Sequence, residues 1–482
     1  MESLQNVKAK LVFKYFEDIS NIPRGSKNEK AISDYLMQFG KNLGLEVIQD
    51  KALNIIIKKP ATKGYENSPT VILQGHMDMV CEKNIDTVHD FLNDPIRLVV
   101  KDDYIYADGT TLGADDGMAV AYAMAILADD SIEHPSLEVL LTTDEETGMT
   151  GAMAVSKDDL KGKILINLDT EAEGYLLVSC AGGIRTKSQI VLQKEDIKNE
   201  GIYEIRVRGL KGGHSGEEIN KGRANANKII GRVLKSLECI DFNLILVEGG
   251  SKDNAIPRES DSIIVTNDEK KLFDIVEKWN SIVKAEFKTQ DPSIKIEVEK
   301  SSKTIGQKLT KQCSNKIIDL LYLYPNGVNT MSMSIKDLTE SSTNLGIVKM
   351  EDAIIEFESS VRSSVPSLKN EIVQRIKTVT QIIGGSFESS AGYPAWVYRE
   401  DSKTRDICKE VYKEMYNKDM KVYAIHAGVE CGLFEERLGN LDMVSLGPDI
   451  FDIHTPDEHL SISSTDRVFE YLLNVLKKFK NF

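Results

Sequence analysis

The sequence predicts an α/β fold in which a mostly parallel sheet forms one domain and an α+β domain is inserted into it. Short apolar runs rich in β-branched residues alternate with helical segments in the first part of the chain, which is typical of parallel sheets covered on both faces. After Cys180 the composition becomes more charged and more alternating. A chain of 482 residues also exceeds what one hydrophobic core usually organises, so two or more domains are expected.

The first domain begins with helical patterns. Apolar residues recur at helical spacing over residues 3–20 and 28–43, and Pro23 and Gly25 interrupt the pattern between them. A buried helix is predicted over residues 117–127, where Ala and Met dominate. Four short runs have the composition of buried strands: residues 53–57, 71–73, 137–141 and 164–168.

Two sequence features mark the domain boundaries. The AGG sequence at residues 181–183 predicts a hinge, and SSAGYP at residues 389–394 marks the return to the first domain. We therefore predict a first domain made of residues 1–183 and 392–482, with residues 184–391 inserted between its two parts.

The insertion contains two similar patterns. Residues 262–287 and residues 353–383 each predict a strand followed by a helix, which suggests a duplicated α+β domain without a convincing residue-level repeat. After the insertion, we expect a helix near residues 403–416, a strand at 443–446 and a final helix from Thr465.

Charge and cysteine content exclude several classes of protein. The net charge of -15 disfavours nucleic acid as a partner, because phosphate binding requires clustered Lys and Arg. The longest nearly apolar run, at residues 118–128, is too short to span a membrane, and the N-terminus lacks a signal-peptide core. The six cysteines show no CxxC spacing, so we predict reduced thiols and a cytoplasmic location.

Residues with metal-ligand side chains follow the predicted strands. The apolar runs VILQG, EVLLTT, KILINL and DMVSLGPDIFDI each lead into a His, Asp or Glu. In parallel α/β sheets, functional groups collect at the carboxyl ends of strands, where loops converge. An Asp in TLGADDG opens the Ala-rich helix and adds another carboxylate. The residues concerned are His76, Asp78, Asp115, Glu145, Glu146, Asp169 and His454.

Two imidazoles and three carboxylates in one neighbourhood suit two divalent ions of borderline hardness. Zinc is the first choice, with manganese or cobalt as substitutes. Three carboxylates against two dications leave one positive charge, which a bound hydroxide would neutralise. A further carboxylate beside that water is what general-base hydrolysis requires, and the pair Glu145 and Glu146 supplies it. The sequence therefore predicts a two-metal hydrolase.

The longer motifs resemble those of the zinc aminoacylase/carboxypeptidase metallopeptidase superfamily. VILQGHMDMV is similar to its signature, and TTLGADDG, TTDEETGMTGA, INLDTE, KGGHSGEEI and HTPDE follow in the same order. Together with HAGVECG and DNAIPRE, these segments resemble its Xaa-His dipeptidase branch, the cytosolic aminoacyl-histidine dipeptidases. The resemblance covers nearly the whole chain. It implies a catalytic domain, residues 1–183 and 392–482, and a lid domain, residues 184–391.

The resemblance implies a role for each candidate ligand. Asp115 would bridge the two metal ions. His76 and Asp169 would complete one metal site, and no ligand or base position departs from the family pattern. Glu146 and His454 would complete the other site.

The resemblance also implies the roles of two carboxylates beside the metals. Glu145 would be the base that takes a proton from the bridging water and passes it to the leaving amine. Asp78 would hydrogen-bond the far nitrogen of His76 and fix its tautomer. A cis peptide bond is expected after Asp115.

One further residue is a catalytic candidate and three are candidates for binding the substrate, and each has a plainer alternative. The resemblance makes His214 a lid residue that stabilises the oxyanion, although GGHSG also fits a simple turn. Asn254 in DNAIP and Gly428 in HAGVECG either contact the substrate or form turns. Arg362 either clamps the terminal carboxylate of a dipeptide with its guanidinium or lies on the surface.

We expect a zinc dipeptidase that cleaves small unblocked dipeptides, with Xaa-His substrates indicated by the family branch alone. Two alternatives stay open: a related N-acyl amino acid deacylase or carboxypeptidase, and a catalytically silent, metal-stabilised binding protein. The intact Glu145 argues against the silent protein. A duplicated lid could serve its own chain, whereas a single-unit lid would more naturally form a homodimer.

Overall fold

The computed structural model describes residues 7–482, apart from the side chains of residues 391 and 481, and divides into two compact units. The first unit contains the chain up to Ser179, Tyr398–Ala424 and Val429–Phe482. The second contains Cys180–Val397 and Ile425–Gly428. The sequence predicted boundaries after residues 183 and 391 and placed residues 425–428 in the first domain. The division into a catalytic and a lid domain stays a prediction. Within the described ranges, no helix combines the length and the apolar character needed to cross a membrane.

An eight-stranded sheet forms the centre of the first unit. Its four central strands are parallel to one another and fully buried, as their apolar, β-branched sequences predict. In spatial order the strands are Glu46–Gln49, Ile55–Lys59, Leu137–Thr142, Val71–His76, Ile164–Asn167, Asp442–Ser445, Tyr175–Cys180 and Lys421–Ile425. A second, antiparallel sheet of the same unit contains Ile450–Phe451, His459–Ser461, Tyr104–Ala107 and Leu98–Lys101.

The helices of the first unit agree with the apolar patterns, with differences at their ends. The helix Ala114–Ala128 has nearly every residue buried, but Asp115 and Asp116 depart from helical geometry. The last helix begins at Ile462, before the expected Thr465, because the Ser461 side chain caps it by accepting the Ser464 backbone N–H. The α-helices are Lys10–Ser20, Lys30–Asn42, Ala114–Ala128, Thr150–Ala154, Lys403–Tyr416, Glu430–Leu438 and Ile462–Lys478.

The second unit contains a sheet with a palindromic strand order. In each half the elements follow one another along the chain as strand, helix, strand, strand, helix and strand. In the sheet, the strands of each half lie in the order fourth, first, third and second, counted from the outer edge to the middle. The second strands of the two halves pair at the middle, where Gly249 lies opposite Val348. The strands of one half are Gly201–Arg208, Phe242–Gly249, Ser260–Thr266 and Lys295–Lys300, and those of the other are Gly182–Val191, Thr339–Met350, Ile354–Ser363 and Ser386–Tyr393.

Four helices bury one face of this sheet. Along Gly201–Arg208, the apolar side chains of Tyr203, Ile205 and Val207 join the core, while Arg206 and its polar neighbours point to the other face. The helices are Ala226–Ser236, Glu269–Glu286, Lys311–Leu323 and Pro366–Ile383. Short strands outside the palindromic order are Lys194–Asp196, Gly213–His214, Ala255–Ile256, Gln307–Leu309 and Gly327–Met331.

Candidate metal centre

The carboxyl ends of three neighbouring parallel strands meet at one edge of the sheet in the first unit. The strand Val71–His76 ends at His76 and lies between two strands that pair with it in parallel. One of these strands leads into Glu145 and Glu146, and the other leads into Asp169. The strand order therefore brings together side chains that are far apart in sequence.

Asp115 faces two imidazoles with its two carboxylate oxygens. Its Oδ1 atom is 3.2 Å from Nε2 of His76, and its Oδ2 atom is 3.1 Å from Nε2 of His454. His76 Nε2 is also 3.5 Å from Asp169 Oδ1, and His454 Nε2 is 3.1 Å from Glu146 Oε1. The five predicted ligands thus form two groups of three that share one carboxylate.

The turn before Asp115 is held from several sides. The peptide bond between Asp115 and Asp116 is cis, as expected from the motif resemblance. The carboxylate of Glu458 accepts the backbone N–H groups of residues 112–115, and buried Arg24 donates to the carbonyl of Gly113. Gly113 has a φ of 69°, and a Cβ there would lie 2.7 Å from the Arg24 guanidinium, so glycine is required.

Asp78 connects His76 to the turn that carries Glu145 and Glu146. Nδ1 of His76 is 3.3 Å from Asp78 Oδ1 and 3.2 Å from the backbone carbonyl of the same residue. The Asp78 carboxylate also accepts the backbone N–H groups of Glu145 and Glu146 at 3.1 and 3.3 Å, and the hydroxyl of Ser26 at 2.8 Å. A proton on Nδ1 leaves Nε2 of His76 available as a ligand atom.

Glu145 is half-buried beside this cluster, and one of its carboxylate oxygens lies within 4.8 Å of ligand atoms of His76 and Glu146. Burial raises the pKa of Glu145 well above its usual range; the His76 imidazole opposes this, and the Glu430 carboxylate reinforces it. A carboxylate with a raised pKa accepts a proton more readily, which is a property of a general base.

The cluster carries more acidic groups than its own cations can balance. Burial opposes ionisation of Asp115, but hydrogen bonds with His454 and His76 keep the pKa of its carboxyl below the usual range. The contacts with Asp115 and Glu146 raise the pKa of His454 to about 10. Within residues 7–482, no lysine or arginine pairs with Asp115, Glu146 or Asp169. Oxygen and imidazole donors without cationic partners fit divalent metal ions.

The sequence interpretation gave no role to several residues of this centre. Asp116 Oδ2 accepts the backbone N–H of His76 at 3.1 Å. Buried Glu430 accepts hydrogen bonds of 2.6 and 2.7 Å from Gln74 and Thr142, which lie on two of the three converging strands. For Arg24, Asp116 and Glu430 the signal in the sequence was a charged residue close to a glycine, in PRG, ADDG and GVECG. The residues without an assigned role are Arg24, Asp116, Glu171, Glu430 and Glu458.

The three predicted substrate-binding residues, Asn254, Arg362 and Gly428, lie in the second unit together with His214, which is predicted to be catalytic. His214 and Asn254 are neighbours there, because the strand Gly213–His214 pairs with Ala255–Ile256 and the N–H of Ser215 donates to the Asn254 carbonyl at 2.8 Å. Burial and the Arg362 guanidinium lower the pKa of His214. His214 therefore offers a neutral imidazole at neutral pH.

Arg362 and Gly428 are connected by a residue without an assigned role, Tyr393. Nη1 of Arg362 donates to the Tyr393 hydroxyl at 2.8 Å, while its Nε atom is buried and has no partner among the described residues. A Cβ on Gly428 would lie 2.5 Å from the Tyr393 ring, so only glycine permits this contact. Arg362 is 8% exposed as a residue, and its unpaired Nε can donate to a carboxylate.

Strand-end carboxylates and imidazoles that share one aspartate define a two-metal hydrolase type of site. The sequence profile described as Peptidase family M20/M25/M40 matches residues 72–478. The chain belongs to this peptidase family, which confirms the relationship inferred from the motifs.

Full-length relatives are found among curated proteins and solved structures. The chain is 37% identical over 482 residues to the cytosol non-specific dipeptidase of Escherichia coli strain K12, covering 99% of each chain. The crystal structure of aminoacylhistidine dipeptidase from Vibrio alginolyticus matches with a TM-score of 0.94 and 35% identity, covering 99% of each chain. An aminopeptidase from Bacillus cereus, with a TM-score of 0.57 and 16% identity over 98% of this chain and 99% of its own, shares the fold.

Proposed function

We propose that this protein is a metal-dependent dipeptidase that hydrolyses unblocked dipeptides. The observation that carries the proposal is the Asp115 carboxylate, whose two oxygens face the imidazoles of His76 and His454. Full-length similarity to two proteins named as dipeptidases supports the substrate class.

The residues of the first unit fit two divalent ions. His76, Asp169 and one oxygen of Asp115 would hold one ion. His454, Glu146 and the other oxygen of Asp115 would hold the second. Mixed nitrogen and oxygen donors favour zinc, with manganese or cobalt as substitutes. Ions held there would supply polarisation of the scissile carbonyl and a lowered pKa of the attacking water.

Glu145 is the general base in this proposal. Its carboxylate takes a proton from the attacking water and delivers it to the nitrogen of the leaving amine. The pKa of Glu145 is raised chiefly by burial, which makes the carboxylate a stronger base. Asp78 keeps its backbone in place by accepting the Glu145 N–H.

The second unit supplies the groups that recognise the substrate. His214 and Asn254 are proposed to donate hydrogen bonds to the scissile carbonyl as negative charge develops on it. Arg362 binds the terminal carboxylate through its unpaired Nε edge, and the backbone of Gly428 contributes beside it. The clamp requires a free carboxylate close to the scissile bond. The enzyme therefore cleaves dipeptides and does not cleave internal peptide bonds of proteins.

Two narrower statements rest on the relatives. The name of the Vibrio enzyme supports aminoacyl-histidine dipeptides as substrates, and the name of the Escherichia coli relative supports a cytosolic location. The palindromic second unit supports a lid that serves its own chain, because one chain already contains two copies of the strand and helix pattern.

A substrate panel tests the proposal. Metal-loaded protein is assayed on β-alanyl-histidine, alanyl-histidine and neutral dipeptides, with their N-acetylated forms in parallel and Glu145→Gln as the matched blank. Unblocked dipeptides should be cleaved, and a chelator should abolish cleavage until metal is restored. Preference for N-acetylated substrates would indicate a deacylase, and metal binding without turnover would indicate a silent binding protein.

A further inference from the structure

His426 is a buried imidazole that the proposed reaction does not use. It is 5% exposed and lies in Ile425–Gly428, which belongs to the second unit. Nε2 of its ring is 2.7 Å from the hydroxyl oxygen of Ser342. Ser342 lies directly opposite Arg362 in the antiparallel pair of Thr339–Met350 and Ile354–Ser363. The ring is therefore held next to the proposed carboxylate clamp.

The charge state of this ring limits what it can bind. Burial, followed by the Arg362 guanidinium, lowers the pKa of His426 to about 3, and His214 acts in the same direction. The Thr339 carbonyl favours the protonated form, but burial outweighs it. At neutral pH the ring is uncharged, with one nitrogen that donates and one that accepts.

Two buried nitrogens near Ser342 lack hydrogen-bond partners among the described residues. One is Nδ1 of His426, and the other is Nε of Arg362, whose Nη1 is already occupied by Tyr393. Buried polar atoms are almost always paired in folded proteins, so unpaired ones at one place indicate a polar ligand. The positive guanidinium selects an anion, and a carboxylate has enough oxygens to accept from both nitrogens.

We propose that Nδ1–H of His426 donates to the terminal carboxylate of the substrate, beside Arg362, and that His426 thereby helps to select free dipeptides. In this proposal the Ser342 hydroxyl donates to Nε2, which places the ring proton on Nδ1. Tyr393 contacts Gly428 with its ring and accepts from Nη1 of Arg362 with its hydroxyl, and so connects the segment of His426 to the guanidinium. This inference rests on the proposed dipeptidase function.

A matched pair of substitutions separates the two ring nitrogens. The amide nitrogen of Asn lies near the place of Nδ1, whereas that of Gln reaches the place of Nε2. The measured quantity is the ratio of kcat/KM on a free dipeptide to kcat/KM on the same dipeptide amidated at its C-terminus. Misfolded protein lowers both values equally, so the ratio reports only recognition of the carboxylate.

Opposite results are expected from the two variants. His426→Asn should keep the ratio close to that of the wild type, because a donor remains near the carboxylate. His426→Gln should lower the ratio by about 10- to 100-fold, the usual effect of losing a hydrogen bond to a charged group. Ser342→Ala should lower the ratio less, because the proton is then shared between the two ring nitrogens.

The outcomes distinguish this inference from the function on which it rests. If wild-type protein cleaves no dipeptide, free or amidated, the proposed function fails. If wild-type protein prefers free dipeptides but His426→Asn and His426→Gln change the ratio equally, or not at all, the function stands and the role of Nδ1 is refuted. If Ser342→Ala shows the same ratio of kcat/KM values as the wild type, the assigned position of the ring proton is refuted.

Discussion

The carboxylate of Glu458 accepts the backbone N–H of Asp115 at 3.3 Å, together with those of the three preceding residues at 2.7–2.9 Å. Glu458 is 2% exposed, and it follows His454 by one short turn. One buried carboxylate therefore fixes the backbone of the shared ligand and also belongs to the hairpin that carries a second ligand.

Glu458→Ala is expected to weaken metal binding. Without the carboxylate, several buried N–H groups lose their acceptor and the Asp115 turn is no longer fixed. Loss of residues that orient metal ligands typically costs 10- to 100-fold in metal affinity. Titration with a competing chelator measures the change, and the exposed neighbour Asp457→Ala is the matched control. Equal metal affinity in both variants would contradict the role of Glu458.

Glu145→Gln is expected to retain two metal ions but lose nearly all turnover. The amide keeps the size of the side chain but cannot accept the proton of the attacking water. Removing a general base typically costs about 10²- to 10⁴-fold in rate. Metal analysis and kinetics on the same preparation check both parts. Near-normal turnover by the folded variant would remove Glu145 from the proposed mechanism.

The local sequence predicted much of the first unit because its signals are local. Apolar β-branched runs specify the central strands, and ligand side chains directly after a strand must lie at its carboxyl edge. The same signals predict that His76, Glu145, Glu146 and Asp169 follow strand ends. Parallel pairing then forces these residues together.

Residues that act across long sequence distances were not predictable in this way. Glu458 and Leu112 are 346 positions apart, and nothing near either residue shows that a carboxylate will meet a backbone N–H. Tyr393 and His426 gain their surroundings only when the second unit folds around Arg362. Local sequence patterns predict which segments form strands and helices, whereas these long-range contacts depend on the complete tertiary structure.

Asp115→Ala is expected to lose both metal ions, whereas Asp169→Ala should mainly weaken one site. The two oxygens of Asp115 belong to different groups, but Asp169 contacts only His76 among the two ligand imidazoles. The metal content of purified variants, measured by mass spectrometry after dialysis, tests this difference. Retention of one ion at wild-type affinity in Asp115→Ala would show that Asp115 is not shared.

The lowered pKa of His426 is expected to make the stability of the protein depend on pH. Its pKa falls from an ordinary 6.5 to about 3 in the folded protein, chiefly because of burial. Between these values the unfolded chain binds a proton that the folded chain does not. The free energy of unfolding therefore falls as pH falls below 6.5, by at most about 1.4 kcal/mol per pH unit.

His426→Asn should make the melting temperature less sensitive to acid between pH 6.5 and about 4.5. Both proteins are compared with a chelator present, so that protonation of metal ligands affects them equally. Thermal denaturation followed by circular dichroism gives the slope of melting temperature against pH. Identical slopes would show that the wild-type imidazole is not held neutral by burial.

Arg362→Lys is expected to lower kcat/KM for free dipeptides and to leave kcat/KM for amidated dipeptides little changed. Lysine keeps the positive charge but lacks the planar pair of donors that matches a carboxylate, and it cannot reproduce the bond to Tyr393 together with an open Nε edge. Breaking such a charged contact costs about 2–4 kcal/mol, or roughly 30- to 1,000-fold in kcat/KM. Because the carboxylate positions the scissile bond, kcat should fall as well as KM rise. Steady-state kinetics on each dipeptide and its amide separates these effects. A change confined to KM would keep the contact but remove its link to positioning, and normal discrimination would place the clamp elsewhere.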